Sequence, residues 1–328
     1  MPELPEVSII ASQLDKKLKG LILDSIEYDW PKKFFWAAGP KGPLPRREGK
    51  KWIIKDLKGA KVVGVRRLGK VVIIDLTKDE GLKTNAKKSV SHSSLDISRI
   101  SILIHLKLTG QLIYQDAKTR IAGGHPIPPL NLPVPNKTTR VTFSFTNPST
   151  SSGQVAGHLY FNDMRKFGWV RIVESGKLKV ESFLENLGPD ALEIKYEEFS
   201  ARLKKKPNAR IKKLLMDQSF IAGVGNIYSD EALWLAKIHP RRSVISLSDK
   251  EIRALFDGVR DSMNLAISKG GSSANAYVDS GGERGLYLSY ARAYHMTGKP
   301  CARCKTPITR QKMDGRSAHF CPECQRLS

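Results

Sequence analysis

The chain opens Met1-Pro2-Glu3-Leu4-Pro5-Glu6, and the helix this stretch starts decides how the rest is read. Leu4, Val7, Ile10, Ala11, Leu14 and Leu18 recur at helical spacing, and Gly20 follows as a stop. Pro2 and Pro5 suit a helix start, and Glu3 and Glu6 favour the positive end of its dipole. A second reading concerns chemistry. Methionine before a small residue is commonly removed, which would leave the proline nitrogen as the free terminus. An α-amino group titrates near ~8, so a useful fraction is neutral and nucleophilic at physiological pH. Such an amine can attack a sugar aldehyde carbon and form a Schiff base. From a secondary amine the adduct is an iminium, cationic without a proton and hence an electron sink. Glu3 is the nearest candidate proton donor. A helix with a buried apolar face would fix the terminus in place, as a nucleophile requires.

Composition narrows the partner. The 328 residues suffice for two domains with a sizeable core. Lys and Arg number 55 against 32 Asp and Glu, a formal charge of +23. This excess is spread along the chain and points to a polyanion, nucleic acid before anionic membrane. All four cysteines fall near the end in two pairs, which leaves none for a disulfide framework and implies a reducing compartment. The acidic N-terminus lacks a secretory pattern, and apolar runs such as 71–74 are too short to span a bilayer. A soluble, intracellular protein is expected, with no membrane partner.

Beyond the first helix, residues 51–57, 61–65, 71–76, 100–114, 140–146 and 158–173 are rich in Val, Ile, Phe and Tyr and read as strands of an antiparallel sandwich or barrel. Three interruptions, 78–98, 116–137 and 147–157, have the composition of exposed, mobile surface insertions. From about residue 176 the pattern is helical, with candidate helices at 196–206, 210–219, 229–238 and 248–269. Ser248 and Glu251 form a capping-box pattern at the last of these. A glycine- and serine-rich loop at 268–284 follows. The expected class is α+β with two domains: an N-terminal helix and antiparallel β-sandwich (1–175), then a helical domain (176–290) ending in a zinc-binding β-hairpin (291–328).

Cys301-x2-Cys304 and Cys321-x2-Cys324 are separated by sixteen residues. Four thiolates on two knuckles suit one closed, structural tetrahedral Zn2+. The hairpin between them carries Arg310, Lys312 and Arg316, singly a solvated basic face, together able to reach phosphates. Gly223-Val224-Gly225-Asn226 lies between two helices. Glycines there permit close backbone approach, and the amides opening the next helix are natural phosphate ligands. Arg66-Arg67-Leu68-Gly69-Lys70 is a basic turn between apolar strands, either a solvated tip or a placement of Lys70 over a phosphate beside the reacting sugar. Residues 104–110 and 162–168 set basic residues beside Leu108 and Phe167 at strand ends. These two side chains are either core packing or wedges that fill the gap a flipped base leaves.

The motifs together resemble those of the formamidopyrimidine-DNA glycosylases, bacterial-type repair enzymes for oxidised purines. The matching residues are 1–6, 67–70, 105–110, 163–168, 216–218, 223–231, 238–240, 270–272 and 298–324. The resemblance runs the whole length apart from the three insertions. It implies a bifunctional glycosylase and abasic-site lyase acting on damaged double-stranded DNA. Pro2 would be the Schiff-base nucleophile, Glu3 the acid that helps open the sugar and Glu6 its support. Lys70 would be the active-site lysine. Asn226 and Arg316 would grip phosphates flanking the lesion, with Arg316 associated with δ-elimination. His105 and Lys206 would contact DNA, and Arg165, Phe167 and Leu108 would fill the void. The helices flanking Gly223–Asn226 would form the family's helix–two-turn–helix, and the segment after Gly271 its base-capping loop.

Several positions depart from the family pattern. Lys107-Leu108 stands where Gly-Met is usual, Asp163-Met164-Arg165-Lys166-Phe167 replaces Asp-Pro-Arg-Arg-Phe, and a histidine expected near 138–140 has no match. The insertions are foreign to the bacterial pattern and hint at a eukaryotic source, plant or fungal, which would imply a nuclear or organellar location. Two other readings compete. One is the sister class acting on oxidised pyrimidines, against which Leu4 speaks because that class usually has Gly there. The other is a non-catalytic zinc-dependent DNA-binding protein, which would not need both Pro2 and Glu3. No oligomerisation seam is evident, so a monomer is expected.

Overall fold

The computed structural model describes residues 1–36, 46–48, 51–54, 57–78, 99–125, 127–149, 155–174, 182–272 and 286–327. Helix α1 (Leu4–Leu18) is followed by strands β1 (Ile22–Tyr28), β2 (Phe34–Trp36), β3 (Arg46–Glu48) and β4 (Lys51–Ile54). Next come β5 (Lys61–Leu68), β6 (Val71–Thr77), β7 (Arg99–His105) and β8 (Gly110–Gln115). The set closes with β9 (Arg120–Gly124), β10 (Thr139–Thr146), β11 (Val155–Asp163) and β12 (Trp169–Glu174). They form one hydrogen-bonded path, β2-β12-β7-β6-β5-β1-β10-β11-β8-β9, with β4 also on β1 and β3 on β4. Every pairing is antiparallel except β2 with β12.

The sandwich is this one sheet folded over on itself. Val72, Ile74 and Ile102 from one half share a core with Phe143, Leu159 and Leu112 from the other, and with Val7, Ile10, Leu14 and Leu18 of α1. The run at 71–74 is apolar at every position because both faces of β6 are covered. Val71 and Ile73 pack outward on Leu103, Trp169 and Leu184.

Helices α2 (Ser182–Glu185), α3 (Tyr196–Lys204), α4 (Ile211–Leu215), α5 (Asn226–Leu235), α6 (Asp249–Ser268) and α7 (Tyr287–Tyr290) precede the hairpin of β13 (Thr309–Met313) and β14 (Arg316–Phe320). The Ser248–Glu251 capping box opens α6 as the sequence predicts. Its apolar face, Ile252, Leu255, Val259 and Met263, packs on Tyr228, Ala232 and Leu233 of α5. Leu4 alone from α1 joins this second core. The first turn of the N-terminal helix is therefore inserted in the helical half, and the remainder lies in the sheet.

Some expectations are corrected. Residues 100–114 and 158–173 are each two strands, broken at 106–109 and 164–168, where Lys107 and Lys166 take positive φ of 50° and 58°. The segment 116–137 is not simply an exposed loop. It contributes β9 to the sheet edge and buries Ile121, Ala122 and Leu130. Arg120 secures it by donating to the carbonyls of Leu130 and Leu132 at 2.9 and 2.6 Å. Helix α5 starts three residues before its predicted first residue, Ser229, and α4 spans only Ile211–Leu215. Most of the insertion at 78–98, residues 150–154 and most of the loop at 268–284 lie outside the described residues.

Candidate active site

The N-terminal stretch meets the glycine turn. The Leu4 amide donates to Gly223 O at 3.1 Å. Glu3 precedes α1, and its amide donates to Glu6 Oε2 at 2.8 Å. Its carboxylate reaches the start of α5, where Oε1 and Oε2 accept from the amides of Ile227 and Tyr228 at 3.0 and 3.4 Å. These amides were expected to take a phosphate. They hold the catalytic candidate instead, because an α5 that begins at Asn226 aims its free N–H groups at Glu3. Both glycines are required by this contact. A Cβ on Gly223 would lie 2.4 Å from Leu4 Cδ1, and one on Gly225 would lie 2.2 Å from the Glu3 carboxyl carbon.

Glu6 is buried with Glu3 and accepts from the Tyr228 hydroxyl at 2.6 Å and the Ser272 amide at 2.8 Å. Lys70, at the start of β6, is also buried and donates to Val224 O at 2.8 Å. Gln218 braces the same turn, donating to Val224 O at 2.8 Å and accepting from Gly223 N at 3.0 Å. Pro2 is buried among these groups. The α-amino group, carried here by Met1 next to Pro2, feels Glu3, Glu6, Lys70 and Arg316, and burial lowers its pKa. Burial likewise pushes the Glu3 carboxyl up, with Glu6 adding to the shift and Lys70 opposing it. Burial brings the Lys70 ammonium down to about 8, opposed by Glu3 and assisted by Arg316. Burial favours the neutral form of both the amine and the carboxyl, the directions that acid–base chemistry at an amine needs.

Arg67 does not join this group. Its guanidinium grips Asp190, with one contact at 3.1 Å and a second, shorter one, and its Nε donates to Ser8 at 2.6 Å. It ties the β5–β6 turn and α1 to the helical half and is not a free phosphate ligand. Arg66 is paired with Asp75 at 2.6 Å.

The two broken strands present their turns side by side. Asp163, fully buried, accepts from the Thr109 hydroxyl, from Arg165 N at 3.2 Å and from Gly168 N at 2.7 Å. Leu108 and Phe167 are 39% and 43% exposed, which rules out the core-packing reading. The Arg165 guanidinium lies 4.7 Å over the Phe167 ring. His105 sits beneath, buried, with Nδ1 accepting from Lys107 N at 3.0 Å, and its ring is held neutral by burial. Arg140 supports this platform from behind, donating to Asp163 O at 3.0 Å and to Asp29 at 3.0 Å.

Helix α5 also anchors the hairpin. Asp230 accepts from Lys212 Nζ at 2.5 Å and from His319 N and Nδ1 at 3.0 and 2.9 Å. Lys212 donates onward to Ser317 O at 2.9 Å. Glu231 accepts the amides of Arg292, Ala293 and Tyr294 at 2.8 to 2.9 Å. Trp234 packs against Cys301 and Cys321. Arg316 opens β14, exposed toward the site, and shares a cleft of about 770 Å3 with Lys206, which lies past the end of α3. Asn226 and Arg316 line a second cavity of about 440 Å3. The Asn226 carboxamide oxygen has no hydrogen-bond partner among the described residues.

The sulfur atoms of Cys301, Cys304, Cys321 and Cys324 all lie within 4.8 Å of one another. A tetrahedral Zn2+ with Zn–S of ~2.3 Å needs sulfurs roughly 3.8 Å apart, so the four thiols fit one structural ion that would close the base of the hairpin.

Three family descriptions match along the chain. "Formamidopyrimidine-DNA glycosylase N-terminal domain" covers residues 1–170, "Formamidopyrimidine-DNA glycosylase H2TH domain" 187–277 and "Zinc finger found in FPG and IleRS" 298–327. The chain is 33% identical over its full length to the formamidopyrimidine-DNA glycosylase of Pelotomaculum thermopropionicum, which it also covers completely. It belongs to the formamidopyrimidine-DNA glycosylase family. The glycosylase of Listeria innocua is 32% identical over 99% of this chain and the whole of its own length. Among solved glycosylases of the family, the chain is similar to Lactococcus lactis Fpg in complex with DNA containing an abasic site. That similarity has a TM-score of 0.74 at 27% identity, covering 99% of this chain and all of the other. Lactococcus lactis Fpg bound to DNA containing N7-benzyl-Fapy-dG aligns equally well, with a TM-score of 0.74. Members of the family are DNA glycosylases and abasic-site lyases.

The sequence did not single out Gln218, Tyr228, Asp163, Asp190, Lys212 or Asp230. Gln218, Asp163, Tyr228 and Asp230 lie inside the matching motifs, which are the available signal for them; Asp190 and Lys212 lie outside.

Proposed function

We propose that this protein is a bifunctional DNA glycosylase and abasic-site lyase of base excision repair, taking oxidised purines such as formamidopyrimidines and 8-oxoguanine. The convergence of the α-amino terminus, Glu3, Glu6, Lys70 and Arg316 on one buried site carries this reading. After loss of Met1, neutral Pro2 attacks C1′ while Glu3 protonates the sugar ring oxygen. The N–C1′ bond forms and the bond to the base breaks, the base leaving with the proton that the amine gives up; the bond from C1′ to the protonated ring oxygen then opens, and the resulting iminium acidifies the C2′ hydrogens. Two successive eliminations then cut the strand on both sides of the sugar. Glu6 keeps Glu3 oriented through the Glu3 amide. Lys70 and Asn226 take phosphates beside the flipped nucleotide, with Arg316 assisting the second elimination. Lys206 and His105 add backbone contacts. Leu108, Arg165 and Phe167 occupy the space the base vacates, at a flipping cost of a few kcal/mol that is lower at a lesion. Zinc, when bound, stiffens the hairpin that carries Arg316.

Borohydride trapping on duplexes carrying 8-oxoguanine, formamidopyrimidine, an oxidised pyrimidine or an abasic site tests the assignment. A covalent adduct is expected on the purine lesions and the abasic site. It should disappear in Pro2→Gly and when one residue is added before Pro2. An adduct that survives either change rejects Pro2, and an equal yield on the oxidised pyrimidine rejects the purine preference.

The pH profile follows from the shifted groups. Below about 8 Lys70 is charged, and above it the charge is lost. The kcat/KM profile of the free enzyme should therefore fall on the alkaline side near pH 8. Lys70→Gln should lower kcat/KM and flatten that limb. A limb that persists in the variant assigns it to another group.

We infer a monomer, because every group named above comes from one chain; light scattering that reports a dimer at micromolar concentration overturns this. The insertions favour a eukaryotic source and hence a nuclear place of action, although the relatives compared are bacterial. A tagged chain that stays outside the nucleus overturns that location.

A further inference from the structure

The cavity of about 440 Å3 beside the hairpin is lined by Asn226, Tyr294, His295, Arg310, Arg316 and His319, among others. Among the described residues, none that lines it is a carboxylate. Of the acids beside it, Asp230 is engaged by Lys212 and His319, and Asp314, next to the lining Gly315, is paired with Arg210 at 3.1 Å. Its walls therefore favour an anion. His295 is the unusual member. Its φ is +60°, the left-handed region in which glycine is at home and side chains are uncommon. Its ring is exposed and stacks on Tyr294, with centroids 4.6 Å apart and planes at 22°. Its other ring neighbour is His319, with centroids 6.1 Å apart. An exposed imidazole facing a cavity lined by two arginines and a carboxamide is placed to serve as a ligand donor.

We propose that His295 is a DNA-backbone ligand, donating a ring N–H to a phosphodiester oxygen in this cavity, with Arg310 of β13 supplying charge to the same phosphate. This rests on the glycosylase reading above and adds two contacts to it. Burial and the neighbouring His319 and Arg310 keep the imidazole toward its neutral form, so it acts as a directional donor more than as a charge. Arg310 has one guanidinium nitrogen committed, Nε to Ser317 Oγ at 3.0 Å, which orients the group without neutralising it.

The two roles separate in a binding experiment on the intact zinc-loaded protein. The probe is a duplex with a tetrahydrofuran abasic analogue, titrated by fluorescence anisotropy over a series of salt concentrations, with thermal melting of each variant alongside. His295→Gly relieves the backbone and should melt no lower than wild type, yet bind about 5- to 10-fold more weakly. Its salt slope should be unchanged. His295→Asn, which tolerates the same φ and offers an amide N–H, should recover binding to within about twofold of wild type. Arg310→Gln should reduce the salt slope by about one. The inference is overturned if His295→Gly binds like wild type, if its weaker binding comes with a lower melting temperature, or if His295→Asn is as weak as the glycine variant. A wild-type protein that does not prefer the abasic duplex to undamaged DNA overturns the glycosylase reading, and this one with it.

Discussion

Gly225→Ala is expected to slow base release by about 100-fold or more while leaving DNA binding within a few-fold of wild type. The backbone at Gly225 is extended, with φ −132° and ψ −154°, so alanine meets no torsional strain. The whole effect comes from one added carbon. It would lie 2.2 Å from the Glu3 carboxyl carbon and 2.4 and 2.6 Å from the two oxygens. Glu3 cannot retreat without giving up the amides of Ile227 and Tyr228. The carboxyl must leave the α5 terminus, and the proton donor is then misplaced by more than the tolerance of a hydrogen bond. Single-turnover release of 8-oxoguanine measures the effect, and binding to a tetrahydrofuran duplex serves as the control. The double variant Gly225→Ala with Glu3→Ala should be no slower than Glu3→Ala alone, because both changes remove the same group. A Gly225→Ala rate within threefold of wild type would falsify this account.

Asp230→Ala should have the largest effect on stability. Asp230 and Lys212 have side-chain exposures of 1% and 6%, and the carboxylate also holds both nitrogens of His319 that face it. Removing it strands a buried ammonium with Ser317 O as its remaining contact, a loss of about 3–5 kcal/mol. For a chain of this size that lowers the melting midpoint by on the order of 10 °C. Strand β14 is released together with Arg316 at its head. Strand scission should then shift from products cut on both sides toward products cut on one side, with base loss less affected. Asp230→Asn keeps an acceptor and should fall between the two. A melting midpoint within about 2 °C of wild type, or an unchanged product ratio in a folded Asp230→Ala protein, argues that the hairpin is positioned by zinc and Trp234 alone.

Local patterns carried most of the fold. The helical spacing of Leu4 to Leu18, the β-branched run at 71–74 and the two cysteine knuckles each announce an element within a few residues of themselves. The strand breaks were harder to see. Lys107 and Lys166 turn the chain with positive φ, and lysine is no turn marker. The prolines of 116–137 conceal a strand whose buried side chains, Ile121 and Ala122, lie in two different cores on opposite faces and are too few to show a period. At the site, motif order names Pro2, Glu3, Lys70 and Arg316, and in the structure the terminal amine beside Pro2 and the Lys70 ammonium both feel Glu3 and Arg316. What held them was not legible. Asp190 against Arg67 and Asp230 against Lys212 are pairs of distant residues, and each member alone reads as a solvated charge. The amides of Ile227 and Tyr228 carry no side-chain signature at all.

The carboxylate of Glu3 belongs to two helices at once, preceding α1 and seated on the first turn of α5. Leu4 beside it is lodged in the core of the second half. The reactive centre is therefore not a property of either half. It comes into being only when both have folded and locked together, and it is dismantled by the first event that parts them. On the proposed mechanism that interlock is a safeguard: a chain whose halves have not joined keeps its charge for DNA but lacks the assembled site that would cut it.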